Sequence, residues 1–216
     1  KGEPVAGPGE TPAVILIEPQ LADNIGMVAR AQANFGLDTL RLVAPRDGWP
    51  NEKARIAASG ANWIVDDSDK RAAGFESMKH DMDLVRQIGG HRIAAPPVGA
   101  TDQTNLDLSQ AALRYHELLE LGNSMEVTPQ LELWGFSKSI SRLGELMHVA
   151  VESGHPNACL LPDVYHIYKG GSDPASLRLL NGATMHCLHM NDYPDIPRET
   201  IVDADRVFPG DGVAPL

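Results

Sequence analysis

Two cysteines in 216 residues, no long apolar run and no basic stripe are the absences that first bound the function of this chain. So few cysteines exclude a disulfide-stapled secreted scaffold. Cys159 and Cys187 both sit inside apolar runs and read as buried, reduced thiols. No stretch approaches the roughly 20 apolar residues that cross a bilayer, so no membrane partner is expected. Residues 1–12, rich in Gly, Pro and Glu, lack the apolar core of a signal peptide and read as a flexible leader, which makes the expected location cytoplasmic. With 18 Lys and Arg against 29 Asp and Glu, the net charge is −11. Binding along a phosphate backbone needs clustered cations, and that balance counts against a large nucleic-acid surface. What remains, 43% hydrophobic and 22% charged, is the composition of an ordinary globular protein.

What is present is an alternation of strand-like and helix-like segments. Residues 13–17 (Ala-Val-Ile-Leu-Ile) read as a strand buried on both faces. A helix follows, capped by Asp23, carrying Ile25, Val28, Ala29 and Gln32 at helical spacing and stopped by Gly36. Further strands are expected over 39–44, 63–65, 92–95, 130–134, 159–161 and 185–190, with helices over 51–59, 107–121 and 141–153 and a short one opened by Asp173-Pro174. The pattern fades over 68–80, where a boundary or linker is expected. Such alternation implies an α/β fold with a parallel sheet, open or closed as a TIM-like barrel.

Three of these strand ends carry residues able to bind a metal: Glu132 in Leu131-Glu132-Leu133-Trp134, Asp163 in Pro162-Asp163-Val164-Tyr165-His166, and His189 in Leu188-His189-Met190-Asn191-Asp192. They are 31 and 26 residues apart, about one strand-plus-helix unit of roughly 30 residues. Parallel strands at that repeat bring their C-terminal ends side by side, so the three can converge. Two carboxylates and an imidazole suit Mn, Mg, Co or Zn. Asp192 is near enough in sequence to accept from the outward nitrogen of His189. Trp134 and Phe136, flanking Glu132, read as core, with Trp134 also able to form an apolar wall against a sugar face. Lys169-Gly170-Gly171-Ser172 is a loop whose free N–H groups could cradle a phosphate. His148 and His155, on or just after a helix, read as non-functional.

From about Asp81 onward the chain resembles the sugar phosphate isomerase/epimerase superfamily of xylose isomerase-like (β/α)8 barrels. The carrying stretches are Gly89-Gly90-His91-Arg92-Ile93-Ala94-Ala95-Pro96, Gln130-Leu131-Glu132-Leu133-Trp134-Gly135, Leu161-Pro162-Asp163-Val164-Tyr165-His166 and His186-Cys187-Leu188-His189-Met190-Asn191-Asp192. The resemblance implies that Glu132, Asp163 and His189 are three of four metal ligands, with His166 contacting the substrate; Arg198 would meet a substrate oxygen or phosphate, and a carboxylate at the metal can serve as general base, the role expected of Glu132. It also implies a fourth ligand, a glutamate ending the eighth strand, which would fall beyond Leu216. The expected activity is metal-dependent proton transfer beside the carbonyl of a sugar or sugar phosphate, metal binding being expected ahead of turnover.

Residues 13–67 resemble a different family, the SpoU-type SPOUT RNA 2′-O-ribose methyltransferases, through Ile17-Glu18-Pro19-Gln20, Asn24-Ile25-Gly26-Met27-Val28-Ala29-Arg30, Asn34-Phe35-Gly36 and Leu42-Val43-Ala44-Pro45-Arg46-Asp47. This implies Asn24 and Arg30 at an RNA-facing site and S-adenosylmethionine as cofactor, although the later segments that would bind that cofactor are not recognisable. The chain therefore reads as a leader (1–12), a SPOUT-like segment (13–76) and an isomerase-like segment (77–216), a chimera of two α/β families. An incomplete barrel has an exposed edge, from which self-association is expected.

Overall fold

The computed structural model describes residues 13–35, 37, 39–58 and 62–215; the expected leader and the Gly36 stop lie outside them. The chain divides into two compact units, Lys1–Asp81 and Met82–Leu216. Every ladder between named strands is parallel, as the alternation required. Among the described residues the strands form a two-stranded and a three-stranded sheet and close no barrel.

In the first unit, β1 (Val14–Ile17) pairs with β2 (Leu40–Val43), in register from Val14↔Leu40 to Ile17↔Val43. Their connection is α1 (Ala22–Asn34), which packs Ala22, Ile25 and Ala29 against Leu40 and against Ala54 and Ala58 of α2 (Glu52–Ala58). Two expectations change here. Strand β1 is not buried on both faces: Val14 and Leu16 turn inward, whereas Ile15 and Ile17 are exposed. Nor does Asp23 cap α1. The N-cap is Leu21, and Asp23 sits in the first turn, where its charge still complements the helix dipole.

The expected strand at 63–65 is overturned, and the segment 68–80 is helical rather than an irregular linker, with the division between the two units just after it, at Asp81. Both lie in α3 (Asn62–Gln87), a 26-residue helix. Dense charge hid its period: Phe75, Met78, Met82 and Val85 are among its less exposed residues, spaced three, four and three apart as one helix face demands. Glu76 with Lys79 and Asp83 with Gln87 support the solvent side.

The second unit carries the order β3 (Arg92–Ala95), α4 (Leu108–Met125), β4 (Thr128–Glu132), α5 (Leu143–Glu152), β5 (Leu160–Leu161) and α6 (Val164–Gly170), with β4 central. Asp107 caps α4 by accepting from Ser109 N at 2.8 Å. This helix runs past the expected end at residue 121 and turns out at Glu126, φ +58°. Leu119 of α4, Leu133 after β4, Leu143 and Leu146 of α5, and Ile167 of α6 are almost fully buried in one cluster. Tyr115 of α4 ties the strand roots together: its hydroxyl lies 3.0 Å from Pro129 O and 2.9 Å from Cys159 O, and accepts from Cys159 N at 3.2 Å. Burial pushes its phenol well above the ordinary tyrosine range.

The strand expected at 185–190 is reduced to two isolated parallel bridges, Leu160↔Met185 and Asp163↔His189. The cause is Pro162. Leu160 N donates to Thr184 O and Val164 N to His189 O; the position between them on that side is proline, which has no N–H to offer. The segment beyond Asp173-Pro174 is a six-residue 3-10 turn, Pro174–Leu179. Cys159 is buried as expected, but Cys187 is exposed; both are free thiols.

Candidate functional site

Glu132 closes β4, Asp163 follows β5 and caps α6, and His189 is bridged to Asp163. All three thus stand at one end of the parallel sheet, where α/β folds gather functional side chains. His189 Nδ1 lies 3.5 Å from Glu132 Oε1 and 3.6 Å from Asp163 Oδ2. These separations exceed hydrogen-bond length, yet two donor atoms so spaced can share one cation at about 2 Å from each. Among the described residues no group of three or more His, Cys, Asp or Glu side chains stands close enough together to hold a metal ion. The trio is therefore an open set around His189, whose residue types, two carboxylates and an imidazole, are those that take a divalent ion when drawn closer. The side chains are 47%, 13% and 2% exposed for His189, Glu132 and Asp163, so the set is reached from the His189 side.

Asp163 is held firmly. Its Oδ1 accepts from His166 N at 2.9 Å, and its Oδ2 from Asn191 Nδ2 at 2.8 Å, while Asn191 Oδ1 accepts from Tyr165 N at 2.8 Å. Burial raises the Glu132 carboxyl above the ordinary value; His189 opposes that shift and Asp163 adds to it. A more basic carboxylate is a better proton acceptor.

His166 is buried, its ring centroid 4.5 Å from that of Trp134 and 5.4 Å from that of Tyr165. Burial lowers its pKa against the attraction of Asp163, which favours the neutral ring. Its Nδ1 has no hydrogen-bond partner among the described residues, and neither has the hydroxyl of Tyr165, whose pKa burial pushes up to about 12. Gly135, in the loop after β4, lets that loop lie on α6: a Cβ there would stand 2.8 Å from His166 O and 3.0 Å from Gly170 N.

Four expectations fare differently. Asp192 does not serve His189; its carboxylate accepts from the backbone N–H groups of Tyr193, Gly210, Gly212 and Ala214. Burial works against ionisation there, but those four donors outweigh it and hold the carboxyl below its ordinary value. The N–H groups of the Lys169–Ser172 loop form no cradle, since Gly171 N donates to Tyr168 O and Ser172 N to Ile167 O. Arg198 is half-exposed, with its Nε on Glu199 and an Nη1 directed over Gly171 rather than toward the trio. Asn24 and Arg30 are exposed on α1, six residues and therefore about 120° apart around the helix, so the helix separates them.

Two residues at the site escaped sequence reasoning. Asn191 was legible only as a neighbour of His189. Arg206 gave no signal beyond its spacing from Asp203. Its Nη1 is 4.0 Å from Asp163 Oδ2, its Nη2 pairs with Asp203 Oδ2 at 2.6 Å, and its guanidinium stands 5.3 Å over the Tyr165 ring.

The sequence profile of the xylose isomerase-like TIM barrel family matches residues 22–216. The chain belongs to that family. An inosose isomerase of Halalkalibacterium halodurans is 30% identical over 101 residues, 46% of this chain and 36% of that protein. One of Bacillus velezensis is 27% identical over 146 residues, 66% of this chain and 51% of that protein. The chain thus spans a third to a half of the length of these relatives. Among solved structures, the IolI protein with a bound zinc atom superposes with a TM-score of 0.59 at 19% identity, covering 90% of this chain and 64% of that one. At that identity the likeness concerns the fold. A further stretch of 80 residues, 37% of this chain, is 35% identical to 34% of the tRNA (cytidine-2′-O-)-methyltransferase TrmJ of Methanocaldococcus jannaschii, which fits the SPOUT resemblance near the start.

Proposed function

We propose that Glu132, Asp163 and His189 hold a divalent cation and that the site moves a proton beside the carbonyl of a sugar or related polyhydroxy ketone, an isomerisation or epimerisation. The observation that carries this reading is the convergence of His189 Nδ1 on Glu132 Oε1 and Asp163 Oδ2, at 3.5 and 3.6 Å. Membership of the isomerase-like barrel family, inosose isomerases among the relatives and a zinc atom in a structure of the same fold all support it. A bound cation would polarise the substrate carbonyl.

The chain's own residues supply the rest. Glu132, made more basic by burial, takes the proton from the carbon beside the carbonyl. The C–H electron pair becomes the new C=C bond of an enediolate, and negative charge moves to the carbonyl oxygen. Passing the hydroxyl proton on the deprotonated carbon to the former carbonyl oxygen, and returning the proton from Glu132 to the former carbonyl carbon, completes an isomerisation. Arg206, held in place by Asp203, presents positive charge toward the oxygen where charge develops. The neutral His166, its Nδ1 unpartnered, hydrogen-bonds a substrate hydroxyl, and Trp134 packs the other side of that ring.

The test is solvent-deuterium exchange into ketoses and inososes, followed by NMR with each metal added. Deuterium should enter at the carbon beside the carbonyl with the wild-type chain and not with Glu132→Gln. Equal exchange in both would overturn the assignment of Glu132.

A further inference from the structure

We propose that Arg142 and Arg198 form an anion subsite above Gly171 that binds a phosphate dianion. Its consequence for substrate class, a phosphorylated rather than a free sugar, rests on the function proposed above; the binding site does not.

The geometry is a convergence of like charges. A Cβ on Gly171 would lie 2.5 Å from Arg198 Nη1 and 3.7 Å from Arg142 Nη1, so both guanidinium groups address one point. Gly171 is the left-handed cap of α6, φ +78°, and having no side chain it lets the Arg198 guanidinium lie over the backbone there, beside that of Arg142. The Arg198 backbone is fixed by a third cation, since Lys169 Nζ donates to Arg198 O at 2.8 Å and to Ile201 O at 2.9 Å. Ser172 Oγ accepts from Leu143 N at 2.8 Å, so its own O–H remains available to donate.

Little nearby charge opposes this. Glu199 engages Arg198 through Nε at 3.0 Å, leaving Nη1 turned to Gly171. The Glu145 carboxylate is occupied by Ser141 N and Arg142 N. No carboxylate pairs with the Arg142 guanidinium among the described residues, in a chain whose net charge is −11. Two guanidinium groups repel each other and are drawn together favourably by a dianion whose oxygens accept from both. Position agrees with a substrate role. Gly171 is eight residues beyond Asp163, the N-cap of α6, which places it about 12 Å along the helix from that residue, within the reach of an extended sugar phosphate.

The experiment is a titration of inorganic phosphate into the metal-free full chain, followed by calorimetry and NMR at constant ionic strength. Saturable binding is expected, weakened about tenfold or more by Arg142→Gln and by Arg198→Gln and retained in His189→Ala. Absence of saturable binding, or binding indifferent to both arginine substitutions, would overturn the subsite. Paired kinetics identify the source of the phosphate. A KM rise confined to the phosphorylated form of one ketose assigns the subsite to substrate; unchanged KM values with the same loss of phosphate affinity assign it to free phosphate. Because the titration needs neither metal nor turnover, failure of the isomerase reading leaves its outcome readable.

Discussion

Replacing Tyr115 by phenylalanine removes one oxygen from a buried knot and leaves the packing volume nearly unchanged. That oxygen lies 3.0 Å from Pro129 O and 2.9 Å from Cys159 O, and takes the N–H of Cys159 at 3.2 Å. Cys159 O would keep its bond from Leu131 N, but Cys159 N–H would lose its acceptor in a site closed to water. A buried group left unsatisfied costs about 1–3 kcal/mol and each lost ordinary bond about 1 kcal/mol, so the substitution should destabilise the chain by about 2–4 kcal/mol. At this chain length each kcal/mol lowers Tm by roughly 2–4 °C. Urea unfolding monitored by circular dichroism is the assay, the midpoint falling at unchanged slope. A loss under about 0.5 kcal/mol, the scale of an ordinary surface substitution, would refute the role given to the hydroxyl.

Asn191→Ala should leave the fold intact and weaken metal binding roughly 10–100-fold, as expected when a partner that orients a ligand is lost; unchanged affinity by calorimetry would count against the clamp on Asp163. Leu146→Ala empties a fully buried position of α5 and should lower stability by about 2–5 kcal/mol, measured by the same urea titration. The Asp192 carboxyl is held below its ordinary 3.8, so its stabilisation is complete above that value and is lost as pH falls through the folded-state value. Protection factors against amide exchange at Gly210, Gly212 and Ala214, taken relative to the intrinsic rate at each pH, should therefore fall in acid, and in Asp192→Asn should be low at neutral pH already; protection unaffected by either change would contradict the assignment.

The parallel α/β plan and the convergence of Glu132, Asp163 and His189 were legible in the sequence because both follow from local pattern: apolar runs of strand length, ended by metal-capable residues at the repeat of a strand–helix unit. What escaped depended on long-range or compensating effects. Helix α3 looked like a linker because charge interrupts its apolar face. The strand at 185–190 looked continuous because its interruption is set by Pro162 on the neighbouring strand. Asp192 looked like a partner for His189 because nothing local announces that Gly210, Gly212 and Ala214 fold back onto it. Arg206 was invisible for the same reason, reaching Asp163 only through the loop that follows His189, whereas Arg198, nearer in sequence, points to Gly171.

The most direct test is the stoichiometry of divalent metal on the full chain, measured by equilibrium dialysis and elemental analysis with zinc and manganese. One ion per chain is predicted, lost in Glu132→Ala and His189→Ala and retained in Arg142→Gln. No stoichiometric ion, or an ion that survives both of the first two substitutions, would contradict the site at its centre.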